Sequence, residues 1–140
     1  MPTSITVFYT RRPDLSPAEF KAHMESVHVP LIKKLMGAHY PTTYLRHYVQ
    51  RVESGAGDRL GASSASRKNA ESAAPVVLVG IPGDLDWDMM GELIFRDELH
   101  LQQGFALLNS TDGQEMRDDE ENFTIPTQLR VILMGETITA

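Results

Sequence analysis

Apolar positions recur along this chain with two different spacings, and the changes from one to the other mark its elements. Residues 5–9 (ITVFY) are β-branched and aromatic and predict a first strand. Ser16, Pro17 and Glu19 then spell a helix start: an N-cap, a proline suited to the first turn, and the acid of a capping box. Phe20, Met24, Val27, Leu31 and Leu35 follow at helical spacing and predict one apolar stripe, with His28 on or beside it. Pro30 falls inside that pattern. It lacks an N–H, crowds the carbonyl of Ser26 and biases Val29 away from helical angles, so a kink or break is expected at His28–Pro30, with a second segment over 31–36 stopping at Gly37.

The strand period returns at 42–51 (TTYLRHYVQR). Alternation sets Thr43, Leu45, His47 and Val49 on one face and Tyr44, Arg46, Tyr48 and Gln50 on the other. Residues 54–74 are rich in Gly, Ala and Ser with no apolar period, which predicts a long mobile loop. The run 75–81 (PVVLVGI) reads as a strand or an extended buried segment. A strand is expected at 88–95, with Asp88, Met90, Glu92 and Ile94 on one face. A helix is expected at 96–109 with Leu99, Phe105 and Leu108 among its apolar positions. Residues 114–123 predict a short helix anchored by Met116 and Phe123, its acids forming a solvated face, and the near-continuous apolar run within 127–137 predicts a central last strand.

The order is strand, helix, strand, loop, strand, helix, strand. It predicts one α+β domain of ferredoxin-like βαββαβ type over 1–140, with both helices on one face of an antiparallel sheet. The other sheet face then needs cover, and face-to-face pairing of two copies is the simplest solution. At 140 residues and 41% hydrophobic content the chain suffices for one core. A net charge of −6 argues against non-specific nucleic-acid binding. No apolar run suits a bilayer and no leader pattern opens the chain, so a cytoplasmic protein without membrane or nucleic-acid partners is expected. The absence of cysteine removes disulfides, thiolate nucleophiles and cysteine metal sites.

No metal-binding spacing, Gly-rich phosphate loop or nucleophile elbow is present, and neither metal nor cofactor is expected. What remains is general acid–base chemistry in an apolar cavity. His28 and His47 are the candidates for proton transfer, because imidazole titrates near neutral pH. Asp88 and Glu92 share a predicted strand face and are placed to orient a histidine; solvated or salt-bridged carboxylates are the plainer alternative. His23 is assigned to the surface, His39 to a turn and His100 to a structural role.

Several of these segments also carry a resemblance. The SPAEF helix start, the step His28–Val29–Pro30–Leu31, the segment GELIF, the acidic DDEENF and the final RVILMGET resemble, in order and spacing, the EthD family of dimeric α+β barrels. The segments TYLRHYVQR and PVVLVGIPGDLDWD are most similar to EthD-type proteins of fungal polyketide clusters. The resemblance implies a homodimer and cofactor-free decarboxylation of an anthrone or anthraquinone carboxylic acid. Related barrels act as isomerases, cyclases or anthrone oxygenases, and a non-catalytic small-molecule binder is a further alternative. For decarboxylation, His28, His47 and Asp88 are the catalytic candidates. Tyr44, Arg46, Tyr48, Trp87 and Glu92 are the substrate-binding ones, Arg46 as a carboxylate partner if it points inward, on the opposite strand face from His47.

Overall fold

The computed structural model describes residues 1–67 and 70–139. Four strands, β1 (Thr3–Tyr9), β2 (Thr43–Tyr48), β3 (Met89–Phe95) and β4 (Arg130–Leu133), form one antiparallel sheet in the order β2-β3-β1-β4. That is the order of the ferredoxin-like α+β fold the pattern predicts. Alternation holds along β3: Met89, Gly91, Leu93 and Phe95 are buried, while Met90, Glu92 and Ile94 take the outer face. Gly91 pairs with Val7 and Arg46, and a Cβ there would come within 2.8 Å of Val7 Cγ2 and 2.9 Å of Tyr44 Cε1. The missing side chain is the space that the Tyr44 ring uses.

The inner face of the sheet is covered by α1 (Pro17–His23), α2 (Val29–Met36), α4 (Glu98–Asn109) and α5 (Gln114–Phe123), the four-residue α3 (Ala56–Arg59) lying apart in the β2–β3 connection. Ser16 caps α1 with the full capping box: its hydroxyl accepts from Glu19 N–H, and the Glu19 carboxylate accepts from Ser16 N–H. The break expected at Pro30 is absent. A π-helical turn over Met24–His28 joins α1 to α2, Val29 keeps helical angles, and its N–H bonds to Met24 O instead of one residue closer. The wider turn accommodates the proline without ending the helix. It also moves the buried stripe on by one residue. Phe20, Met24, His28, Ile32 and Met36 are buried, while Val27 is 45% exposed.

Three further expectations are corrected. The last strand is an edge strand of four exposed residues, not a central one; it pairs with β1 on one side, and among the described residues no strand lies on the other. Residues 75–81 form no strand beyond one isolated bridge, Arg51 with Pro75, and Leu78, Val79 and Ile81 are exposed. Leu99 also faces outward, while His100 and Gly104 take the buried positions of α4. A Cβ on Gly104 would meet Met36 Cε at 2.8 Å, so glycine permits the close approach of α4 to α2. Within the expected loop, residues 68 and 69 lie outside the described residues. The rest contains α3 and short 3-10 turns, and it does bury groups: Ala56, Gly57, Ala62 and Ser66, the Ser66 hydroxyl accepting from Val77 N–H and donating to Pro75 O. No helix among the described residues is long and apolar enough to cross a membrane.

Candidate active site

The end of β1 fixes the end of α5. Arg12 N–H bonds to Phe123 O at 3.0 Å and Ile125 N–H to Thr10 O at 2.9 Å. These bonds bring Asp119, Glu120 and Phe123 against Tyr9 and the π turn. The acids of α5 therefore do not form a wholly solvated face: Asp119 and Glu120 are buried, and Phe123 is fully buried beside the rings of Phe20, His23 and His28.

A cavity of about 160 Å³, partly open to solvent, lies between the sheet and the helices. Ile5, Val7, Leu93 and Phe95 form its sheet side, and Ile32, Met36, Phe105 and Met116 its helix side. The polar groups on this apolar lining are the Tyr9 and Tyr44 rings' hydroxyls, Asn109 and the carboxyl of Glu120. Burial pushes the Glu120 carboxyl up to about 7. Tyr9 as a hydrogen-bond donor and the charge of Arg117 oppose that rise, while the charge of Asp119 adds to it. Burial likewise raises both tyrosines above their ordinary range, so both stay neutral donors.

His28 stands behind Glu120 and not on the cavity wall. It is fully buried, its Nδ1–H donates to Asp119 Oδ2 at 2.8 Å, and its Nε2 lies 3.8 Å from Glu120 Oε2 with no hydrogen-bond partner. Burial lowers the affinity of His28 for a second proton, and the hydrogen bond to Asp119 only partly offsets that. Burial also works against the charge of Asp119, but donation from His28 and His23 outweighs it and holds this carboxylate below its ordinary value. His23, assigned to the surface from the sequence, is three-quarters buried and donates from Nε2 to Asp119 Oδ1 at 2.9 Å.

Of the candidate site residues named from the sequence, Tyr44 lines the cavity and His28 lies beside its acid. His47 and Glu92 lie together on the outer sheet face, 2.8 Å apart and exposed to solvent. Arg46 does point inward, as Tyr44 and Tyr48 do, but a bidentate pair with Glu25 of the π turn occupies it, at 2.6 and 2.7 Å. Tyr48 donates to the same carboxylate at 2.5 Å, and the Arg46 guanidinium holds Glu25 below its ordinary range. Asp88 is a clamp at one corner of the sheet, accepting from Arg11 N–H and from Arg51 Nη2, each at 2.7 Å. Trp87 packs edge-on against Phe8, 5.3 Å between ring centres. Glu120, Asp119 and Tyr9 were not singled out. Within QEMRDDEENF, the spacing from Met116 to Phe123 already put Asp119 and Glu120 on the same side of the helix as one or the other anchor.

A family model, EthD domain, matches residues 12–127. Among solved structures, the chain is similar to an ethyl tert-butyl ether D (EthD) family protein from Bacillus halodurans, with a TM-score of 0.55 and 17% identity over 98% of this chain and 100% of that one. It is similar to an EthD-like protein from Ralstonia eutropha, with a TM-score of 0.52 and 17% identity over 95% and 87% of the two chains. A hypothetical protein from Arabidopsis thaliana, solved in solution, matches with a TM-score of 0.51 and 10% identity over 99% and 91%. At these identities the likeness carries the fold. No curated protein matches the chain.

Proposed function

Because the chain belongs to the EthD family, we propose that it is a cofactor-independent decarboxylase of a hydroxylated aromatic carboxylic acid, of the anthrone or anthraquinone type. The observation that carries this reading is the buried carboxyl of Glu120 on the wall of an apolar cavity, which burial pushes up to about 7. An ionised Glu120 repels a substrate carboxylate; a protonated one does not, and it has a proton to give at neutral pH. The apolar walls suit a flat ring system, and the neutral hydroxyls of Tyr9 and Tyr44 suit a phenolic oxygen.

In the reaction, Glu120 transfers its proton to the ring carbon that bears the carboxylate. The bond from that carbon to the carboxylate then breaks, its electron pair returns to the ring, and carbon dioxide leaves. The neutral tyrosine hydroxyls hold and orient the phenolic oxygen, from which ring protonation draws electron density. Water restores the proton of Glu120, so one proton is consumed per turnover.

Incubation of the purified protein with a carboxylated anthrone tests the reading. The expected product has lost the mass of carbon dioxide. An isomer of unchanged mass, a product that has gained oxygen, or unchanged starting material under conditions where the ligand binds would each overturn it.

The same reading includes a homodimer. The edge strand β4 and the residue after it expose Val131, Ile132, Leu133 and Met134 in succession, an apolar sheet edge for a second copy to cover, and Leu45 is exposed on the outer face of β2 at the opposite side of the sheet. Sedimentation at micromolar concentration is expected to give twice the chain mass, and a stable monomer would remove this part of the reading.

A further inference from the structure

We propose that Glu120 and His28 hold one proton between them, and that Asp119, itself held by His23, keeps Nε2 of His28 as the accepting end of that pair. The proposal rests on the reading of Glu120 as the acid of the cavity and adds what sets its protonation.

The geometry is that of an imidazole with one end committed and the other free. Nδ1–H is taken up by Asp119 at 2.8 Å. Nε2 therefore carries a lone pair. It is buried without a hydrogen-bond partner, and Glu120 Oε2 at 3.8 Å is the polar group recorded beside it. A fully buried acceptor left unpaired costs free energy that a protonated Glu120 removes once its carboxyl turns about the last side-chain bond. The Glu120 O–H then donates to Nε2, and transfer of that proton leaves an imidazolium flanked by two carboxylates, those of Glu120 and Asp119.

Each neighbour of the pair acts on this balance. From β1, Tyr9 donates to Glu120, and from β2, Tyr44 faces it across the cavity. From α5, Arg117 and Asp119 add opposite charges, and from α1, His23 fixes Asp119 at 2.9 Å. Asp119 also accepts from Asn122 Nδ2 at 3.3 Å. Three donors thus converge on Asp119, which keeps it an acceptor towards His28. His23 and Asp119 are positioning residues here; they do not face the cavity.

The test is a pH titration of the full chain by NMR, following the ring nitrogens of His28 and the carboxyl carbon of Glu120. Near neutral pH His28 is expected as the Nδ1–H tautomer, with Nε2 and the Glu120 carbon moving together in one step near pH 7. In Glu120→Gln that step should vanish from His28 while the tautomer stays. In Asp119→Asn the side-chain amide donates to Nδ1, which forces the proton onto Nε2. An Nε2–H then stabilises the Glu120 carboxylate, and the Glu120 step should move to lower pH. Loss of the Asp119 charge alone would lower that step too, so the deciding readout is the tautomer: His28 should change from Nδ1–H to Nε2–H in Asp119→Asn, which a merely structural or electrostatic Asp119 would not produce. The proposal is overturned by a Glu120 that titrates apart from His28, by an Nε2–H tautomer in the unsubstituted protein, or by an Nδ1–H tautomer kept in a folded Asp119→Asn. The titration uses no substrate, so its outcome is separate from that of the decarboxylation assay.

Discussion

Glu120→Gln is expected to lower turnover by roughly two to four orders of magnitude and, in neutral and alkaline solution, to make the fold more stable. The substitution keeps shape and polarity but removes the transferable proton. The stability gain follows from the same burial that tunes the acid. Unfolded, Glu120 titrates near its ordinary 4.5; folded, near 7. Between those values the folded protein holds a proton that the unfolded chain has released, so stability falls as pH rises through this window. Above it the ionised, buried carboxylate costs the fold roughly 3 kcal/mol, by the conversion of one pKa unit to about 1.4 kcal/mol. Glutamine carries no such cost. Below 4.5 the two proteins should converge. His28 acts in the opposite sense: buried and neutral, it destabilises the fold as pH falls below 6.5, because unfolding frees it to take a proton. That contribution is broadly common to both proteins and largely drops out of their difference. Urea unfolding of the two at pH 5 and pH 8 measures the effect. Equal stability at pH 8 would show that Glu120 is not held protonated by its surroundings.

Phe123→Ala is expected to cost about 3–5 kcal/mol of stability, the range for removing a large buried aromatic side chain. The ring is fully buried, with its centre 5.6 Å from that of Phe20, 4.4 Å from His23 and 5.0 Å from His28. It belongs to the main core and is also the apolar floor under the two histidines that meet at Asp119. Its removal opens a void beside the His28 ring, and the His28 resonances should broaden or split. A loss below about 1 kcal/mol, in contrast to the buried-aromatic range, would mean that the core closes around the gap.

The element pattern was legible because local chemistry and tertiary packing agree over most of the chain. The capping box at Ser16, the alternation of β2 and β3, and the bounds of α5 come from spacings that the finished fold leaves in force. The disagreements have physical causes. β4 reads as central because its residues are apolar, yet among the described residues no strand pairs with its outer edge. The run from Pro75 to Ile81 has strand composition but forms only an isolated bridge with Arg51. The site was half legible. His28 stood out through its place beside a proline in an apolar stripe. The importance of Asp119 and Glu120 was hidden, because a run of acids looks the same whether or not two of them face inward. What turns them in is the tie between Arg12 and Phe123 across 111 residues of chain, and no local pattern contains it.

The five residues of the π turn also act as a phase shifter between two segments of one rod. From its last two residues into α2 run two tracks side by side: Val27, Leu31 and Leu35 on one, His28, Ile32 and Met36 on the other. Wound as a plain α-helix, the first track would face the sheet. The offset backbone bond from Val29 to Met24 rotates the second track into that place, by about the 100° that separates adjacent residues. The histidine behind the cavity acid and the Ile32–Met36 wall of the cavity are thus installed by one rotation. The discarded track stays on the flank of the helix, ready to fill the core with three hydrocarbons and no base were the winding to relax.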